Sequence, residues 1–264
     1  MKKAFVGFVL ILCSCNNGTD DQPTVVPAQP ANQEMILRES IKKYPDSLLL
    51  VENLIQYFRD SGNYSNAIAE VDKALKSDSS NARLWDIKAT LHFEDADTTN
   101  AISAFEKAIA LVPDQQRVIS LGTLYAETKN QRALPIADGL LANTQSKAAK
   151  EAYFIKGLYF SAIKQSAKAI EFFDKALAVS FTFMDAYREK SIVLYDQGKY
   201  EEALAVLDKA LTLQNNFDEG YYYSGKCLEK LNRIPEAIQS YKNALAYDPD
   251  YVEAKEALAR LNGK

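Results

Sequence analysis

Set against one another at a spacing of 34 residues, the strongest segments of this chain superimpose: NAISAFEKAIALVPD, KAIEFFDKALAVSF, EALAVLDKALTLQN and EAIQSYKNALAYDPD. Ala67, Ala101, Ala169, Ala203 and Ala237 fall 34 or 68 residues apart, and so do Ala74, Ala108, Ala176, Ala210 and Ala244; Pro45, Pro113 and Pro249 are spaced by multiples of 34. A fixed period of this length means that one supersecondary unit is copied and stacked, because a single copy cannot bury its own apolar face. Each copy holds two amphipathic segments of about a dozen residues around a turn, seen most clearly as DSGNY at 60–64 and DQGKY at 196–200. Recurring Ala and Gly let the two segments approach closely as helices, while Val51, Trp85, Tyr153, Tyr187 and Tyr221 fill the space between neighbouring copies.

In residues 82–115, Trp85 stands at the fourth position of the unit, Ala101 at the twentieth, Phe105 at the twenty-fourth, Ala108 at the twenty-seventh and Pro113 at the thirty-second. Residues 218–251 repeat the pattern with Tyr221, Gly225, Ala237, Tyr241, Ala244 and Pro249. This resembles the tetratricopeptide repeat. The resemblance implies an all-α fold, a right-handed α-solenoid of six helix-turn-helix units at 48–81, 82–115, 116–149, 150–183, 184–217 and 218–251. EMILRESIKKYPDS, within 33–47, reads as an N-terminal half repeat, and VEAKEALARLNGK, 252–264, as a polar capping helix. The third unit diverges: Gly122 and Ala133 come early and Pro135 opens its second helix, so a shifted register is expected there, in a repeat that reads as divergent but otherwise ordinary, with a local change of pitch or a hinge as the functional alternative.

The N-terminus follows a different rule. Lys2 and Lys3 precede an apolar run from Ala4 to Cys13, too short for a membrane span and suited to the core of a signal peptide. Leu12 lies three residues before Cys15 and the small Ser14 immediately before it, an order that resembles the lipobox of bacterial lipoproteins. The resemblance implies cleavage of residues 1–14 and a lipid on Cys15, with two or three acyl chains as a firm membrane anchor. A disulfide of Cys15 with Cys13 or Cys227 is the structural alternative. Asn16 follows where Asp would favour inner-membrane retention under the enteric sorting rule, so the outer membrane is the favoured location. The segment to residue 32, with Pro23, Pro27 and Pro30 and no periodicity, reads as a flexible tether.

Little here supports chemistry. His92 is the sole histidine, and no second His or Cys stands at ligand spacing from it, so neither a metal nor another cofactor is expected. HFEDAD lacks the spacing and Gly of a calcium loop, and no P-loop, G-x-S-x-G or H-E-x-x-H occurs. Cys227 reads as a small core residue. Removal of residues 1–14 takes the formal charge from −4 to −6, which disfavours nucleic acid as a partner. No enzyme and no small-molecule substrate are expected.

What remains is a surface. At 100° per residue, the second, fifth, ninth and twelfth positions of each first helix point away from the core, and in tetratricopeptide proteins this face lines a concave groove that grips peptides. Glu52, Gln56, Arg59, Arg83, Asp86 and Thr90 make it polar in the first two units. Phe154, Leu158, Arg188, Ile192, Tyr195, Tyr222 and Lys226 make it apolar with a basic fringe in the fourth to sixth, the alternative being that neighbouring repeats or the C-terminal helix cover some of them. The first set does not supply the Lys and Asn pattern of the chaperone-binding carboxylate clamp. The expected role is a lipid-anchored, non-catalytic scaffold for a protein or peptide partner in the bacterial envelope. An adaptor of an envelope hydrolase, an assembly lipoprotein for outer-membrane or surface-appendage components and a carbohydrate-binding subunit are the alternatives.

Overall fold

The computed structural model describes residues 30–143 and 147–263, so the expected signal peptide, Cys15 and all but the end of the tether lie outside the described residues. Helices alone make up the regular structure there: α1 (Pro30–Lys43), α2 (Leu48–Asp60), α3 (Tyr64–Ser77), α4 (Ala82–Glu94), α5 (Thr98–Leu111), α6 (Gln115–Glu127), α7 (Ala133–Ala142), α8 (Ala149–Ala162), α9 (Ser166–Val179), α10 (Met184–Asp196), α11 (Tyr200–Leu213), α12 (Asp218–Lys230), α13 (Ile234–Tyr247) and α14 (Val252–Asn262). The fold is all-α and of the helical-repeat class. α1 begins at Pro30, inside the segment assigned to the tether at 15–32, because proline has no N–H to lose in a first helical turn.

Two compact units divide the chain, one ending at Pro113 and holding α1–α5, the other starting at Asp114 and holding α6–α14. Within them each first helix packs on its own second helix, as α2 on α3, α4 on α5, α8 on α9 and α12 on α13.

The turn inside each pair has one geometry throughout. A residue with positive φ ends every first helix: Gly62, Ala96, Lys129, Lys164, Gly198 and Asn232. In the first pair the Gly62 N–H donates to Arg59 O at 2.9 Å and the Asn63 N–H to Phe58 O at 2.8 Å, and the other five turns repeat both bonds. This left-handed closure returns two orphan carbonyls of the helix end to hydrogen bonding. Lys129 comes one residue early, and five residues (128–132) separate α6 from α7 where three (61–63) separate α2 from α3. Arg132, still in helical backbone, precedes a second helix cut to 10 residues.

Four of these six left-handed positions carry a Cβ, which disfavours that conformation. Ala96→Gly and Lys129→Gly are each expected to raise unfolding free energy by about 0.5–1 kcal/mol, the relief of strain being offset in part by the freer unfolded chain. Urea denaturation of the two variants measures this, and a loss of stability in both would contradict it.

The core explains the repeated small residues. Ala67, Ala101, Ala169, Ala203 and Ala237 are fully buried, as are Ala108, Ala176, Ala210 and Ala244. Facing positions trade volume. A Cβ on Gly157 would lie 2.4 Å from the ring of Phe173, and one on Gly225 2.7 Å from the ring of Tyr241. Where the eighth position is larger, as Ile55, its opposite number at the twenty-fourth is the smaller Val71, in the same cluster of buried side chains. The sum is held near constant while its two parts vary, as close packing requires. In the third unit a Cβ on Gly122 would meet Ile136 and Ile155, both at 2.9 Å, so the early glycine serves a contact of its own.

Candidate partner-binding site

In the unit from Asp114 onward, α10, α12, α13 and α14 enclose a cavity of about 560 Å³ whose walls include Tyr195, Tyr222, Lys226, Glu229, Tyr241 and Arg260. Its centre is a lysine among tyrosines. The Lys226 ammonium lies 5.0 Å from the ring centre of Tyr195, 5.6 Å from that of Tyr222 and 5.1 Å from that of Tyr223. Such contacts attract a cation through the ring quadrupole and strengthen as water is excluded. Lys150, Lys156 and Lys190, the other partly buried lysines of this unit, each pair with a carboxylate, whereas Lys226 has none within 4.0 Å among the described residues.

The tyrosines are themselves fixed. Tyr222 packs 4.9 Å from Tyr251 and 5.8 Å from Tyr241, ring centre to ring centre. The Tyr241 hydroxyl donates to Glu229 Oε1 at 2.6 Å. Arg260 on α14 grips the same carboxylate with two bonds, Nη1 to Oε2 at 2.7 Å and Nη2 to Oε1 at 2.6 Å. The terminal helix is thus a wall of the cavity as well as a cap, and a two-pronged guanidinium bond sets its rotation.

Of the seven residues expected on the groove face, Tyr195, Tyr222 and Lys226 come together here and four do not line the cavity. Leu158 is buried, a correction to its placement on the surface: it is core. Phe154 is half-buried against Phe183 at 5.0 Å and Phe173 at 5.7 Å. Ile192 is half-buried as well. Arg188 is not a free cation of a basic fringe. Its guanidinium meets Glu219 at 2.6 Å, Asp185 at 3.0 Å and Glu189 at 3.3 Å. Burial alone would lower its pKa, but the carboxylates of Glu189, Glu219 and Asp185 outweigh this and hold it charged. In the N-terminal unit Glu52 likewise pairs with Arg83, and Arg59 with Glu94.

Tyr223, Glu229, Tyr251 and Arg260 were outside the helical-wheel reading. One signal for some of them is in the sequence. Glu52 with Arg83, Arg188 with Glu219 and Glu229 with Arg260 are each 31 residues apart, so opposite charges at that offset mark first helices stacked in adjacent units.

Burial pushes the Cys227 thiol up to about 12, and burial with the Glu189 carboxylate pushes Tyr223 up to about 12. Tyr241 is raised by burial and by its bond to Glu229, and Tyr251 by burial and the Glu219 carboxylate. An acid whose folded pKa lies above its unfolded value lends stability that is complete below the unfolded pKa and is lost as pH rises through the folded one. Melting temperature is therefore expected to hold up to pH 9.0, the ordinary thiol value, and to fall toward about 12. Cys227→Ala should delay the onset to pH 10.0, where free tyrosine ionises. Circular dichroism melts across this range test both.

Cys227 is therefore a buried thiol rather than a reactive thiolate. His92 is buried with Nδ1 3.3 Å from Asp97 Oδ2. Among the described residues no group of three or more His, Cys, Asp or Glu could hold a metal ion, and no helix is long and apolar enough to cross a membrane. What the cavity offers is aromatic surface, the Lys226 ammonium held over three rings and a rim of mixed charge that includes Glu229, Lys230, Glu253, Glu256 and Arg260: the means to hold a side chain.

Helix pairs closed by one turn geometry and repeated along the described residues define a helical-repeat protein, a fold that serves as a scaffold for protein–protein interaction. The chain belongs to the tetratricopeptide repeat family, whose models match residues 53–115, 150–182 and 194–261. It is similar in fold to a tetratricopeptide repeat protein from Parabacteroides merdae, with TM-score 0.72, 20% identity, and 89% of this chain and 93% of that one covered. It is similar also to PilW, a type IV pilus biogenesis factor, with TM-score 0.58, 20% identity and coverage of 79% and 97%. Among curated proteins, a DnaJ homolog subfamily C member 7 homolog of Schizosaccharomyces pombe is 21% identical over 223 residues, 84% of this chain. The chain spans 43% of the length of that relative.

Proposed function

We propose that this protein is a non-catalytic scaffold that seats a segment of a protein partner in the cavity formed by α10, α12, α13 and α14. The observation that carries the reading is Lys226, held over three tyrosine rings without a carboxylate of its own. Aromatic walls around this ammonium, within a rim of mixed charge from Glu229, Lys230, Glu253, Glu256 and Arg260, suit an anchor residue at the centre of an interface, with the ion pair of Glu229 and Arg260 keeping the walls in place. We place the scaffold in a bacterial envelope, fixed through a lipid on Cys15 and on the outer membrane by the residue that follows it. The support for this is the order of residues from Lys2 to Asn16.

Crosslinking and detergent pull-down from the native envelope test both halves of the proposal. A partner captured by the wild type and lost from Tyr195→Ala/Tyr222→Ala, with helicity unchanged, supports the cavity; a partner retained by that variant moves binding to another surface. A Cys15→Ser protein that still sediments wholly with membranes removes the lipid anchor. The tyrosine walls favour glycan capture as a second reading, and recovery of bound glycan without bound protein would select it.

A further inference from the structure

The fourth position of the unit carries a large side chain whose polar tip is tied down in two of the units. Trp85 Nε1 donates to the Ser79 carbonyl at 2.9 Å, and the Tyr221 hydroxyl donates to the Asn215 carbonyl at 3.1 Å, each six residues upstream. Tyr187 stands at the same position of its unit and is only 2% exposed. Its hydroxyl is buried without a hydrogen-bond partner. A buried donor left in this state is costly, and a native structure that keeps one calls for an explanation.

Tyr187 lines a cavity of about 400 Å³ between α9, α10 and α11, on different helix surfaces from the tyrosine cavity, together with Leu177, Phe181, Lys190, Val206 and Lys209. Lys190 is held by Asp174 at 2.6 Å. Lys209 has no carboxylate within 4.0 Å among the described residues, is exposed, and reaches over the Tyr187 ring at 6.0 Å. Phe181 at the edge is 65% exposed, although large and apolar. The unspent groups are thus a hydroxyl donor, shielded beneath the cavity surface, and an exposed ammonium, beside apolar walls and an Asp174 carboxylate already neutralised by Lys190. What complements them is a molecule with an apolar body and one anionic acceptor, and the volume falls within the range of small-molecule sites.

We propose that this cavity binds an apolar monocarboxylate, its tail against Leu177, Phe181 and Val206 and its carboxylate accepting from the Tyr187 hydroxyl and facing Lys209. The ligand is held and not transformed. Because the hydroxyl is shielded, the side chains that cover it must yield as the ligand enters.

Calorimetric titration of the full-length protein in a non-ionic detergent, with the detergent background subtracted, uses octanoate, 1-octanol and acetate as probes. Octanoate is expected to bind once per chain, roughly tenfold more tightly than 1-octanol, and acetate not measurably. Tyr187→Phe should weaken octanoate about fivefold to tenfold while the ligand-free melting temperature stays level or rises, since an orphan hydroxyl has been removed. Lys209→Gln, an exposed change that leaves the core alone, should weaken octanoate and not 1-octanol. Absence of octanoate binding, equal affinity for 1-octanol, or undiminished binding to both variants would overturn the proposal.

Discussion

Phe173→Ala is expected to destabilise the unit beginning at Asp114 by about 3–5 kcal/mol, the range for deleting a buried aromatic. The ring is fully buried and rests on Gly157, so that neither a smaller ring site nor a larger floor is free of penalty. Gly157→Ala approaches the same contact from the other side. Its Cβ would arrive 2.4 Å from the ring, and the overpacking should cost about 1–3 kcal/mol. Because the two residues touch, their effects will not add: Gly157→Ala/Phe173→Leu should be more stable than the summed losses of Gly157→Ala and Phe173→Leu predict. Urea denaturation of Phe173→Ala, Gly157→Ala, Phe173→Leu and the double variant decides this. If Gly157→Ala is neutral, α8 and α9 do not approach as closely as the contact requires.

Lys226→Met is expected to reduce capture of the partner at least tenfold and Tyr222→Ala about thirtyfold or more, the loss that follows removal of an anchor at an interface centre. The methionine keeps most of the length and apolar stem of the lysine, so it separates charge from packing. Tyr222→Ala also strips Tyr251 and Tyr241 of a ring neighbour, which makes circular dichroism melts a necessary companion. Quantitative crosslinking at matched expression reads both effects. Equal capture by Lys226→Met and wild type would leave the ammonium without a role in recognition.

The period, the helix pairs and the alternation of small and large core positions were legible because each is a local consequence of composition repeated at a constant interval. Ala at the twentieth and twenty-seventh positions marks the close approach of two helices wherever the unit occurs, and Gly at the eighth announces the ring that covers it. The turns were less legible. Of the six left-handed residues Gly62, Gly198 and, more weakly, Asn232 signal their conformation, while Ala96, Lys129 and Lys164 are held there by the carbonyls they satisfy.

The candidate site was read only in part, and the reason is geometric. Helical periodicity placed Tyr195, Tyr222 and Lys226 on one face, but it treats each helix alone. It could not say that Glu219 would claim Arg188, that Leu158 would pack into the core, or that Arg260 on the last helix would seize Glu229 and close a cavity around Tyr222. Nor could it distinguish Tyr187, whose hydroxyl has no partner, from Tyr221, which occupies the same position with its hydroxyl bound. By itself the sequence determined the repeat, the class of fold and the apolar periodicity of each helix, since these follow from period and hydrophobicity along one chain. Only the tertiary structure decided which charges are spent and which are left over, because ion pairs and hydrogen bonds depend on distances between side chains in different units.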